Sequence, residues 1–212
     1  PLTQCCPATN GPEGVLAALL AIDRGALSPA DQLNHDIYRR QLESQVAGFA
    51  FPSDRMPVSQ RGGPHLLAVQ MAPALRMETA KDYADWTARL QAFGTFTDQV
   101  IALMREGMAS GWMPPGAVMQ RVPAQIAAQR VASAEQSSFY APFLAMSDAV
   151  PAGEQAVLQA QARAAVSDVV LPALARFETF FNSEYLPATV DSVATGDLPQ
   201  GQAYYDHLAR TY

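Results

Sequence analysis

Cysteine is almost missing from this chain. The two present, Cys5 and Cys6, are neighbours, and adjacent Cα atoms about 3.8 Å apart sit below the range a disulfide spans. The pair therefore does not staple a fold, and it fixes no redox compartment. The plain reading is an inert pair in a tail, with metal capture and intermolecular pairing as the alternatives. Lysine is scarcer still: Lys81 stands alone against thirteen arginines, and the net charge is -6. No basic run of five or more exists, which argues against nucleic acid as a partner, since phosphate binding needs a concentrated positive patch. Long apolar runs are lacking too. Val15–Ile22 and Val169–Ala175 fall far short of the roughly 20 residues that span a bilayer. A signal-peptide pattern is absent, and the chain opens on Pro1 rather than Met, so a processed or excised piece is expected. No β-alternation lasts more than a few residues, and no internal repeat stands out.

What is present is apolar and helix-forming. Hydrophobic residues make up 49% of the 212, enough for one large or two small domains with a real core. The stretch PLTQCCPATNGP, residues 1–12, holds turn formers without periodicity and reads as a disordered or poorly tied tail. Residues 13–212 read as a single all-α domain. A first helix is expected over Glu13–Arg24, stopping at Gly25. Ser28 caps a second, with Pro29 at its first position and Asp31 in its first turn, running to about Gly48. On it Tyr38, Leu42, Val46 and Phe49 share one face, while Asp36–Arg40 and Arg39–Glu43 are opposite-charge pairs one turn apart on a solvated face.

Thr79 caps the strongest pattern in the chain. Tyr83, Trp86, Leu90, Phe93, Thr97, Val100 and Met104 follow a 3-and-4 spacing up to Gly111, with Gly94 a candidate kink. Such an aromatic stripe reads as core rather than as a cofactor site. Pro115 starts another helix through Val118, Val122 and Ile126, bent at Pro123. Ser133–Ser138 is a loop, and Phe139, Tyr140, Pro142 and Phe143 form an aromatic plug. Pro151 opens the last long helix, on which Val166, Val170, Leu174, Phe177, Phe181 and Tyr185 recur every third or fourth residue, kinked at Pro172 and ended by Pro187. After a loop over Asp191–Pro199, Gly201–Tyr212 is helical again. The fold class is thus all-α: long kinked amphipathic helices packed as an irregular bundle.

The bundle has one rigid break, MPVSQRGGPH, from Met56 to His65. Pro57 and Pro64 fix φ and remove donors, and Gly62 and Gly63 allow backbone angles closed to other residues. Beyond it, Leu66–Met77 is either a short helix or extended. Gln60, Arg61 and His65 carry the polar chemistry of the break and are the candidate cleft-lining residues. The competing reading is that the loop only packs helices together.

Defined catalytic patterns are absent. His-Glu-x-x-His, which places two zinc ligands one turn apart with a glutamate base, does not occur, and His35, His65 and His207 are far apart in sequence. No Gly-x-Ser-x-Gly or phosphate-cradling glycine motif is found, and the carboxylates are too scattered to nominate an acid–base pair. From the residues themselves no catalytic, cofactor-binding or metal-binding position is assigned.

Five segments taken in order resemble a bacterial family catalogued as domain of unknown function 885, regarded as zinc-metallopeptidase-like. They are AIDRGALSPADQLNHDIYRRQLE (Ala21–Glu43), MPVSQRGGPHL (Met56–Leu67), DYADWTARLQAF (Asp82–Phe93), SSFYAPF (Ser137–Phe143), and YLPA (Tyr185–Ala188) with LPQGQAYYDHLARTY (Leu198–Tyr212). The resemblance implies a mostly helical portion of a longer protein, whose His-Glu-x-x-x-Gly-His-His type motif and zinc lie downstream of the matched region. It implies no catalytic residue or cofactor in this chain. The expected role is a helical scaffold with part of a cleft for a peptide substrate, not catalytic by itself. The alternative is a self-sufficient helical interaction module, with self-association through exposed apolar surface. Family members are often exported, so the resemblance inclines towards the bacterial periplasm or cell envelope and leaves the cytoplasm open.

Overall fold

The computed structural model describes residues 11–211. The tail read as poorly tied therefore falls mainly outside the described residues, as do Cys5 and Cys6, and Pro12 already opens a helix. In chain order the helices are α1 (Pro12–Leu20), α2 (Pro29–Gly48), α3 (Leu67–Met71), α4 (Ala80–Ser110), α5 (Gly116–Met119), α6 (Val122–Ala127), α7 (Ala152–Ala165), α8 (Leu171–Phe180) and α9 (Gly201–Thr211). Among the described residues there is no strand, so the fold class is all-α as the patterning predicted. No helix among the described residues is long and apolar enough to cross a membrane. The helices gather into two compact units, one made of the segment up to Ser53 together with that from Ala194, the other of Asp54–Val193.

The first unit holds α1, α2 and α9. Helix α1 stops four residues short of the expected Arg24. Asp23 then accepts a hydrogen bond from the Gly25 amide and turns the chain into one 3-10 turn, Arg24–Ala26. Helix α2 matches expectation at both ends, with the Ser28 hydroxyl accepting from the Asp31 amide. Its charge pairing is only half as predicted. Arg39 reaches Glu43 at 2.7 Å, but Asp36 is taken by Arg24 at 2.6 and 2.8 Å, which holds its carboxyl down at about 2. Arg40 is left to the Arg210 carbonyl.

The expected apolar face of α2 is also only partly buried. Leu42 is buried, whereas Tyr38 is exposed and Phe49 is 65% exposed. The reason is that few elements cover α2: of this unit's described residues only His35, Leu42 and Gly201 are buried. His35 ties the end of α1 to α2 through the Leu19 carbonyl at 3.2 Å, and Phe51 packs on Tyr204 and His207 at 5.3 and 5.4 Å.

The second unit is built on α4. Thr79 and Asp82 form a reciprocal capping box at its start. Gly111, at φ 74°, ends it in the left-handed conformation, with Trp112 donating to Gly107. All seven residues of the predicted stripe are buried. Helix α4 runs unbroken through Gly94. That glycine is a close-approach point, where a Cβ would come within 3.2 Å of Val169.

The stripe divides between two apolar clusters. Tyr83, Trp86, Leu90 and Phe93 pack with the plug Phe139, Tyr140 and Phe143 and with α7. Val100, Ile101 and Met104 pack with Met119, Ile126, Phe177 and Tyr185. The single helix expected after Pro115 is two short ones. Pro123 falls in the first turn of α6, where a missing N–H costs nothing. A π turn, Val166–Val170, lies directly before the α8 turn that holds Pro172, and a second π turn, Phe181–Tyr185, precedes Pro187. π turns inside α-helices are uncommon, and both here lie just before a proline.

Candidate functional site

The MPVSQRGGPH break folds back on itself. The Ser59 amide donates to the Gly62 carbonyl at 2.9 Å, and the Ser59 hydroxyl accepts from the Arg61 amide at 3.1 Å. Gln60 and Arg61 thus form the tip of a tight turn, and both are exposed. Two side chains hold that tip by its carbonyls. Gln125 of α6 donates to the Gln60 oxygen at 3.0 Å, and Gln70 of α3 to the Arg61 oxygen at 2.6 Å. With the backbone so pinned, the Gln60 amide and the Arg61 guanidinium stand ready as donors, and neither makes an ion pair or side-chain hydrogen bond among the described residues.

His65 goes the other way. The chain turns at Gly63, whose φ of 136° is closed to residues with a Cβ. A Cβ there would also meet the His65 ring at 3.0 Å. Pro64 starts one 3-10 turn, and the imidazole enters the second apolar cluster, fully buried and stacked on Phe177 at 6.1 Å and 19°. Both ring nitrogens lack a hydrogen-bond partner among the described residues, and so does the Gln125 carboxamide oxygen that faces them. Desolvation pushes the imidazole below its usual range, partly opposed by Gln125. His65 is thus held neutral around pH 7. It anchors the turn from beneath.

The structure therefore brings Gln60 and Arg61 together at the surface and sets His65 apart in the core. Gln70 and Gln125 escaped the sequence reading, because nothing in MAP-type or VPAQIA-type context distinguishes a glutamine that pins a loop from one in water. Tyr185 is a further buried group without a partner among the described residues, its hydroxyl pushed up by desolvation. No group of three His, Cys, Asp or Glu side chains that could hold a metal ion exists among the described residues. His35 and His207 belong to the first unit and His65 to the second.

The family model described as "Bacterial protein of unknown function (DUF885)" matches residues 12–212. No curated protein and no solved structure matches the chain.

Proposed function

The chain belongs to the bacterial DUF885 family, and from that premise we propose that it is the helical scaffold, and part of the peptide-binding cleft, of a zinc-metallopeptidase-like protein. In this reading it is not catalytic by itself, and the metal motif lies in further polypeptide. The observation that carries the reading is the Gln60–Arg61 tip. Its backbone is fixed from two helices while its donors face solvent, which is how a binding loop spends little entropy on capture. An extended peptide offers carbonyls to the Gln60 amide and a carboxylate to the Arg61 guanidinium. His65 supports the tip without touching the substrate.

The residues described here do not fit zinc. His65 packs against Phe177 and Gly63 and belongs to no group of three His, Cys, Asp or Glu side chains among the described residues. No step of the reaction is assigned to them.

Reading the gene past Tyr212 tests this directly. A downstream His-Glu motif is expected, and elemental analysis should find zinc in the product that contains it. A tightly bound zinc equivalent on residues 1–212 alone would overturn the reading. In the intact protein, Arg61→Ala should raise KM for acidic or free-carboxylate peptides with little change in kcat.

A second reading, a helical interaction module, is favoured by the surface of α2. Leu33, Ile37 and Tyr38 on it and Phe49 at its C-cap are all exposed, and apolar side chains gathered on one surface can serve as a contact site. A stop codon directly after Tyr212, with self-association in sedimentation that Ile37→Glu abolishes, would favour it over the first.

A further inference from the structure

Between α3 and α4 lies a hollow of about 230 Å³. Its floor is Trp86, Leu90, Phe93 and Phe139, all buried, and Arg89 and Phe96 stand exposed at its mouth. The floor is fixed before any ligand arrives. The Trp86 indole donates to the Phe139 carbonyl at 3.0 Å, and Phe93 meets the Phe139 ring edge-on at 4.9 Å. Size restricts the occupant. A dry cavity of about 150 Å³ accepts benzene, so this one has room for a single aromatic ring with a short linker.

Charge restricts it further. Arg55, Arg76, Arg105, Arg130, Arg163 and Arg176 of the same unit each pair with a carboxylate, whereas Arg89, like Arg61 and Arg121, pairs with none among the described residues. Its neighbour one turn back, Asp85, is held by Lys81. An apolar pocket with an arginine lacking an ion-pair partner at its rim suits a ligand that is apolar at one end and anionic at the other, and a guanidinium matches a carboxylate bidentately.

We propose that this hollow binds an aromatic-sized apolar group bearing a carboxylate, the ring on the Trp86–Phe139 floor and the carboxylate on Arg89. Two sources share that chemistry: a free aryl-alkanoic acid, and the C-terminus of a peptide ending in a large apolar residue. The site lies within Asp54–Val193, so its test does not depend on the metallopeptidase reading.

The test is calorimetric titration of the intact protein with 3-phenylpropanoate, its neutral amide, and Gly-Gly-Phe with a free or an amidated C-terminus. At least one acid should bind about tenfold or more tightly than its amide. Preference for the free acid or the tripeptide assigns the source. Arg89→Gln should erase the difference between acid and amide. Ala92→Trp, at an exposed position of the rim, should abolish binding of both, with unchanged circular dichroism melting for each variant. Absence of binding by all four probes, equal affinity of acid and amide, or indifference to Ala92→Trp would overturn the proposal.

Discussion

The side-chain amide of Gln125 donates to the Gln60 carbonyl at 3.0 Å while its oxygen faces the buried imidazole of His65. One residue of α6 thereby touches both ends of the rigid turn, the exposed tip and the enclosed anchor. Gln125→Leu should remove the bond to the tip at a cost of about 1 kcal/mol. Hydrogen exchange at the Arg61 and Gly62 amides should quicken, while α4 exchanges as before. Unchanged exchange at the tip would mean that Gln70 alone holds it.

Stability should depend on pH through His65. Its folded pKa is lowered from 6.5 by burial, so on acidification the unfolded chain takes up a proton before the native one does. The unfolded state then binds more protons, and stability falls as pH drops from about 6.5 towards the lower folded value, levelling off below it. His65→Phe keeps a ring against Phe177 and removes the titrating group. Urea unfolding at pH 7 and pH 5 should show a smaller loss for the variant than for the parent, and parallel losses would argue against His65 as the source.

Two adjacent glycines should behave differently. Gly63→Ala must place a Cβ at φ 136° and within 3.0 Å of the His65 ring, which should cost about 2 kcal/mol. At Gly62 nothing lies within 4 Å of the added Cβ, so Gly62→Ala should lie within about 0.5 kcal/mol of the parent. Chemical denaturation of the pair decides the point, and equal losses would refute the geometry given for the turn.

A similar contrast holds between two helices. A Cβ on Gly107 would come within 2.7 Å of the Arg55 carbonyl and 2.9 Å of the Trp112 carbonyl, both backbone. Gly107→Ala should therefore loosen the end of α4 by about 2 kcal/mol or more. Gly153, in the first turn of α7, has open space around it, so Gly153→Ala should stabilise by up to about 1 kcal/mol. Thermal melting of the two variants should move in opposite directions.

Where the sequence was legible, local chemistry decided the outcome. Ser28 with Pro29 and Thr79 with Asp82 announce helix starts because capping needs only neighbours, and the stripe from Tyr83 to Met104 is buried because a 3-and-4 spacing can serve only one face. Tyr38 and Phe49 share the spacing of Leu42 yet remain exposed, since periodicity says which residues align and not whether another element covers them. Pro172 shows that a donor is missing but not that a π turn will precede it. At the turn, the rigidity of Gly62–Gly63–Pro64 is visible in the residues themselves. The burial of His65 depends on Phe177, 112 positions away, and on Gln125, and neither is foreseeable from the turn.

Each π turn is, to the helix that contains it, a residue added without breaking the rod. Val166 and Val170 feed the cluster around Trp86, and Phe177, Phe181 and Tyr185 feed the cluster around Met104. A one-residue deletion between Val166 and Val170 would leave composition and helix content almost untouched. It would nevertheless swing every later side chain by about 100°, carrying Phe177 away from the His65 ring it stacks on. The phase of this helix, more than its hydrophobicity, thus determines whether the anchor of the polar turn has anything to rest against.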